Sequence, residues 1–268
     1  MRAPGLDRDG FIRREGDLAL VPRAFATVVA AAKAAILDGF GPDRLHSGYL
    51  YGSIPRGTAV PGVSDLDMLL ALRHEPTDAD REAVAALESM LDTRFPQING
   101  AGIGLASTAT LLSELERYDL GWFVACLCTP LIGEDLAAQL PRYRPTSLLA
   151  RETNGDIGDL LPRWRAQLSH AESDADLKAM SRRVGRRLVR TGFTLVMPRW
   201  GGWTSDLDES AAVFGRYYPE RREQMELAAQ AAKATTADRE ALAVLIDDLG
   251  PWLAAEYLAT HGRKTPRP

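Results

Sequence analysis

The stretch that most constrains this chain is Leu66-Asp67-Met68-Leu69-Leu70-Ala71-Leu72, apolar except for one aspartate and preceded by a second, Asp65. A run so short and so continuous reads as a strand buried on at least one face. Residues two apart on an extended chain point the same way, so Asp65 and Asp67 converge. Two convergent carboxylates in an otherwise apolar strand are costly to bury unless a cation binds them. Hard oxygens presented in this way suit Mg²⁺, which keeps waters and takes substrate phosphate oxygens for the rest of its shell. Upstream lies Tyr51-Gly52-Ser53, separated from Asp65 by eleven residues and closing a shorter strand at 47–51. Gly52 permits close backbone approach, and the N–H groups and hydroxyl of Ser53 can hold a phosphate.

Around this pair the chain divides. Residues 24–38 are Ala/Val-rich and predict a helix ended by Gly39-Phe40-Gly41-Pro42. Thr77 predicts the cap of a helix to about Asp92, with Val84, Leu87 and Leu91 at helical spacing, and 102–106 predicts a third strand weakened by its glycines. Helix-like material follows from Thr110, then an apolar run at Trp122 in which Cys126 and Cys128 read as buried small hydrophobes. Pro141-Arg142-Tyr143-Arg144-Pro145 reads as a linker. Beyond it, segments 156–170, 174–191, 205–216, 219–234 and 237–249 predict helices, with Asp174, Ser205 and Thr236 as caps. The expectation is an α+β fold: residues 1–140 form a small mixed sheet with helices, and residues 146–268 form an all-α bundle.

An Asp-x-Asp alone reads as a turn residue and a solvent-facing strand residue. The chain contains its own control, because Ser205-Asp206-Leu207-Asp208 repeats Ser64-Asp65-Leu66-Asp67 letter for letter. The second copy follows Gly201-Gly202 too closely and precedes Glu209-Ser210-Ala211-Ala212 rather than an apolar strand. It predicts a helix N-terminus, where acids favour the macrodipole.

The pattern Tyr51-Gly52-Ser53, gap, Asp65-Leu66-Asp67-Met68 resembles the signature of the DNA polymerase β-type nucleotidyltransferases. The resemblance implies that Asp65 and Asp67 are catalytic and bind the metal that activates a nucleoside triphosphate. Pro130-Leu131-Ile132-Gly133-Glu134-Asp135-Leu136 is similar to the stretch that closes the catalytic domain in antibiotic nucleotidyltransferases. The helical half, with Arg190-Thr191-Gly192-Phe193 and Tyr218-Pro219, is similar to that of streptomycin/spectinomycin adenylyltransferases. The implied activity is Mg²⁺-dependent transfer of AMP from ATP to a hydroxyl of a small molecule, an aminoglycoside-like antibiotic, with antibiotic resistance as the consequence. The implied active site lies in a cleft between a catalytic and a substrate-binding domain. One position departs from the pattern. A third acid belongs on the strand at 102–106, yet no Asp or Glu occurs between Asp92 and Glu114, and Gly102 or Gly104 takes its place. Three outcomes stay open: a base from elsewhere, such as Glu114 or Glu116; an acceptor that needs no strong base; or a degenerate regulatory protein that binds nucleotide without efficient transfer.

Other features carry less. Arg183, Arg186, Arg187 and Arg190 form one helical stripe with Arg182 beside it. Arg183 and Arg187 are candidate nucleotide contacts, since guanidinium suits phosphate, and the same stripe also reads as a solvated face. Arg56, in the loop after Ser53, is a further candidate. Arg165 and His170 loosely fit the Arg-x4–6-His pattern of HEPN ribonucleases, which keeps a toxin–antitoxin-type module acting on RNA as another alternative. Against it, the net charge of −4 over 268 residues argues against a nucleic-acid coat. The charged first fifteen residues do not read as a secretory signal. The apolar stretch 24–37, broken by Lys33, falls short of the roughly 20 residues that span a bilayer. The expectation is a soluble cytoplasmic protein, monomer or weak dimer, with no membrane partner.

Overall fold

In the computed structural model, which describes residues 4–233 and 237–267, the chain forms two compact units. One runs from Arg13 to Tyr143. Its elements are α1 (Ala26–Arg44), β1 (Leu45–Tyr51), α2 (Ser53–Arg56), β2 (Leu66–Leu72), α3 (Asp78–Arg94), β3 (Ala101–Ser107), α4 (Thr108–Leu111), α5 (Leu120–Leu127) and β4 (Thr129–Gly133). The sheet has the order β3-β2-β1-β4. β1 runs antiparallel to both β2 and β4, and β2 runs parallel to β3.

Strand alternation sorts β2 between two cores. Met68, Leu70 and Leu72 pack with Val28 and Ile36 of α1 and with Leu91 of α3. Leu69 and Ala71 pack on the other face with Tyr49, Leu111, Val124 and Cys128. Asp67 and Asp65 continue the odd-numbered face at the N-terminal end of β2, where its apolar filling stops. α3 starts as the sequence predicts, on a reciprocal cap: the Thr77 backbone N–H donates to Asp80 Oδ2 (2.6 Å) and the Asp80 N–H to the Thr77 hydroxyl. Asp80 also pairs with Arg44 at the end of α1, which holds its carboxyl far below the usual carboxylate range. The exposed side of β3 is closed by α3 side chains, Asp92 accepting from the Ala101 N–H (2.7 Å) and Glu88 from the Ile103 N–H (2.6 Å).

The predicted end of α1 is a kink instead of a stop: Gly41 turns at φ +62° before Pro42, and the helix resumes to Arg44. The helical run Arg23–Arg44 is also longer than expected, long and apolar enough by those measures to cross a membrane, but Val28, Val29, Ala32 and Ile36 are used on the sheet. Cys126 and Cys128 are free and buried as expected, and burial pushes the Cys126 thiol up to about 12.

The second unit contains α6 (Ser147–Asn154), α7 (Ile157–His170), α8 (Asp174–Trp200), α9 (Leu207–Tyr217), α10 (Arg222–Lys233), α11 (Arg239–Val244) and α12 (Gly250–His261). α8 is its axis. Gly185 lets α10 approach closely, since a Cβ there would lie 2.5 Å from the Ala228 carbonyl oxygen. A buried polar knot ties three helices: Asn154 Nδ2 donates to the Thr194 hydroxyl (2.9 Å), and the Tyr257 hydroxyl donates to the Ala150 carbonyl and lies 3.1 Å from the Thr194 hydroxyl.

Several sequence expectations need correction here. Helices α6 and α12 were not anticipated, and α8 continues nine residues beyond its expected end at 191. The cap of α8 is Ser173, not Asp174, in a reciprocal cap with Asp176, and the cap of α9 is Asp206, not Ser205. In both cases an adjacent Ser/Asp pair offered two oxygens, and backbone geometry selected the neighbour. Thr236 lies outside the described residues; the cap observed for α11 is Asp238. The described residues before Arg13 group with the helical unit rather than with the sheet. They do so because the Trp203 N–H donates to the Pro4 carbonyl (2.9 Å) and Arg144 stacks on Phe11 (4.1 Å to the ring centre).

Candidate functional site

The candidate site is built where β1 ends and β2 and β3 begin. Tyr51, the last residue of β1, pairs with Asp67, and Asp67 pairs on its other side with Gly102 of β3. Registered neighbours share a face, so the Asp67 carboxylate stands between the chain leaving β1 and the first turn of β3. The next residue after Tyr51 explains how tightly. Gly52 has φ +81° and ψ −152°, a region open essentially to glycine alone. A Cβ on it would lie 2.6 Å from Asp67 Oδ2. The conformation and the clearance both require glycine, and together they bring the backbone against the acid.

Asp65 lies one residue before β2, in line with Asp67 by alternation, with fully buried Leu66 between them. It is not loose: Asn99 Nδ2 donates to Asp65 Oδ1 (3.1 Å), while Asn99 N–H and Leu66 N–H lock the two chain segments by bonds to Ser64 O and Gly100 O. Both aspartates are half-buried. Ser53 opens the four-residue α2, and its carbonyl accepts from the Thr58 N–H (3.1 Å). Arg56, a candidate phosphate contact, braces the turn: Nε donates to the Gly52 carbonyl (2.9 Å) and a terminal nitrogen faces Glu15 (3.4 Å). Glu15 was not anticipated. It is eleven residues before α1 and carries no motif, so only the fold reveals it.

The donor set is of a kind that fits a magnesium ion. Two hard carboxylates at a glycine-lined edge are what such an ion takes from protein, the remaining positions being water and phosphate oxygens. Among the described residues no group of three or more His, Cys, Asp or Glu is placed to hold a metal by itself. The position beside Asp67 where a third acid was expected is Gly102, by register. Glu114 turns to Arg117, and Glu116 is buried.

The two arginine candidates of the α8 stripe, Arg183 and Arg187, belong to the helical unit. Arg187 pairs with Asp156, and Arg183 donates to Gln167 Oε1 (2.8 Å) at the rim of a cavity of about 340 Å³ that His170 and Met180 also line. Arg165 is held by Asp247 (2.6 Å), and His170 bonds back to the Ala166 carbonyl (2.6 Å), so each has a structural partner nearby.

No family model matches the chain, and no curated protein matches it. Its fold has a counterpart among solved structures. The crystal structure of spectinomycin adenyltransferase AAD(9) from Enterococcus faecialis with ATP and spectinomycin aligns at a TM-score of 0.52 and 16% identity, covering 84% of this chain and 98% of that one. At such identity the likeness establishes a shared fold, and function has to be argued from the site.

Proposed function

We propose that this chain is a nucleotidyltransferase that moves AMP from ATP, with Mg²⁺, onto a small molecule. The observation that carries the reading is the packing of the Asp67 carboxylate against Gly52 at the open end of β2. Asp65 and Asp67 would hold the ion, which supplies charge neutralisation on the triphosphate when bound. Gly52 and Ser53 offer backbone and hydroxyl to the phosphates, and the Arg56 bond to the Gly52 carbonyl keeps that turn in place while substrate binds. Positioning and electrostatics are what phosphoryl-type transfer asks of a protein, and a rigid turn beside two acids supplies both. The unit Arg13–Tyr143 is then the catalytic part and the helical unit the acceptor-selecting part. Spectinomycin, present in the structure of the similar fold, is the first acceptor to test, as an aminoglycoside-like hydroxyl compound.

The test is transfer of label from α-labelled ATP to a small-molecule panel in the presence of Mg²⁺. The reading predicts a labelled product and its loss in Asp67→Asn. Transfer that survives Asp67→Asn, or no product with any acceptor, overturns it.

A further inference from the structure

The unusual feature of the site is what stands beside Asp67. In the parallel register the neighbour is Gly102, half-exposed and at negative φ, so its backbone would accept any residue. Outside its own chain neighbours, and among the described residues, a single heavy atom lies within 4 Å of a Cβ placed there: Asp67 Oδ1, at 3.7 Å, an ordinary contact distance. The place is open beside the Asp67 carboxylate, residue 102 brings no charge of its own, and no packing demand explains the glycine.

The carboxylates that border β3 are committed elsewhere. Asp92 and Glu88 accept backbone N–H groups along the outer edge of the strand, the side away from β2. Glu75 bonds the hydroxyls of Ser107 and Thr110, five residues further along β3, about 16 Å at 3.3 Å per residue. Glu15 faces Arg56. A hydroxyl acceptor keeps its proton at neutral pH and needs a base within hydrogen-bond reach, about 3 Å, of the attacking oxygen. A carboxylate has already lost its proton near pH 4, and a phosphate its second near pH 6, so neither needs one.

We infer that Gly102 is a specificity-determining position that fits this site to an acceptor whose attacking oxygen is already anionic, a carboxylate or a phosphate. This rests on the nucleotidyltransferase reading above. The acceptor oxyanion bonds to the α-phosphorus of ATP, and the bond from that phosphorus to the bridging oxygen of the β-phosphate breaks. Its electron pair leaves with pyrophosphate. No proton leaves the acceptor, nothing is oxidised or reduced, and the product is a mixed anhydride with AMP. An acid at position 102 would put a negative charge where the acceptor oxyanion approaches, and glycine avoids that repulsion.

The test measures pyrophosphate release by the full chain with ATP and Mg²⁺ plus acetate, inorganic phosphate or spectinomycin, alongside calorimetric ATP binding. The expected result is at least tenfold stimulation by acetate or phosphate over the acceptor-free rate, with no rise in the acetate rate between pH 6 and 8. Which of the two stimulates identifies the source of the oxyanion. Gly102→Glu should lower that stimulation tenfold or more, and Gly102→Gln, equal in shape but neutral, should lower it less. Spectinomycin outperforming both oxyanions, equal losses in the two variants, or no stimulation by either oxyanion while ATP binding persists would overturn the inference. In the first of these cases the nucleotidyltransferase reading stands, whereas loss of Mg²⁺-dependent ATP binding in the wild-type chain removes both.

Discussion

The chain writes Ser-Asp-Leu-Asp twice, at 64–67 and 205–208, and folds it two ways. In the first copy Leu66 starts a strand between two others, and Asp67 is pressed against Gly52 and set beside Gly102. In the second, Asp206 caps α9 by accepting the Glu209 N–H (2.8 Å), and Asp208 pairs with Lys233 (2.5 Å) in solvent. Local sequence is identical, so the flanks decide. Five apolar residues after the first copy can only be buried as a strand, whereas Glu209-Ser210-Ala211-Ala212 after the second favours a helix that cap and dipole stabilise. The same carboxylates become a candidate reaction centre in one setting and helix punctuation in the other.

Substitution should separate the copies most strongly at their last acids. Asp67→Asn is expected to cut nucleotidyl transfer about a thousandfold, the equivalent of several kcal/mol of lost charge stabilisation. Asp208→Asn should leave turnover within twofold; comparable losses in the two would erase the distinction. Next in size is Gly52→Ala, which forces a side chain into a left-handed backbone and against Asp67 Oδ2. It should cost about 1–3 kcal/mol of stability and lower kcat more than it raises KM, because the turn beside the acid moves. Gly201, also at positive φ but with open space around it, is the counterpart near the second copy. Gly201→Ala should be milder in a denaturant titration and silent in turnover.

Smaller effects belong to the second copy alone. Asp206→Ala removes a helix cap worth about 1 kcal/mol and should lower Tm by about 3 °C without touching activity. The Asp208–Lys233 pair is exposed, so Asp208→Asn should change stability by about 0.5 kcal/mol or less in the same melt. Last is a pH effect in the helical unit. Burial lowers the His261 pKa below 6.5, its ring bonding the Leu195 carbonyl (3.0 Å) and the Ser147 hydroxyl (2.7 Å). A histidine held neutral contributes stability above pH 6.5 and loses it as pH falls through the folded value. Hydrogen exchange in α12 should therefore speed between pH 6.5 and 5 relative to β2, and His261→Gln should flatten that difference.

Much of the sheet unit was legible because its signals are local and strong. The apolar run of β2, the Thr77 cap and the glycine-marked third strand each came out within a residue or two. Gly52, Asp65 and Asp67 could be grouped because strand alternation converts spacing into direction. What stayed hidden depends on distant partners. Helix α12 lies beyond the last expected segment, 237–249: it opens on Gly250-Pro251, where proline is tolerated in a first turn, and Leu253 and Tyr257 are buried. Glu15 meets Arg56 only because the chain returns beneath α2. Arg183 and Arg187 could be placed on one stripe, but that Gln167 and Asp156 hold them follows from how α7 and the turn before it pack on α8.

If the proposed function holds, the first copy, and not the second, binds a magnesium–nucleotide. Calorimetric titration of ATP with and without Mg²⁺ tests it without any assumption about the acceptor. Mg²⁺ should tighten ATP binding at least tenfold in the wild-type chain and in Asp206→Asn/Asp208→Asn, and this gain should disappear in Asp65→Asn/Asp67→Asn. An undiminished Mg²⁺ effect in the Asp65/Asp67 double variant, with the fold intact by circular dichroism, would contradict it.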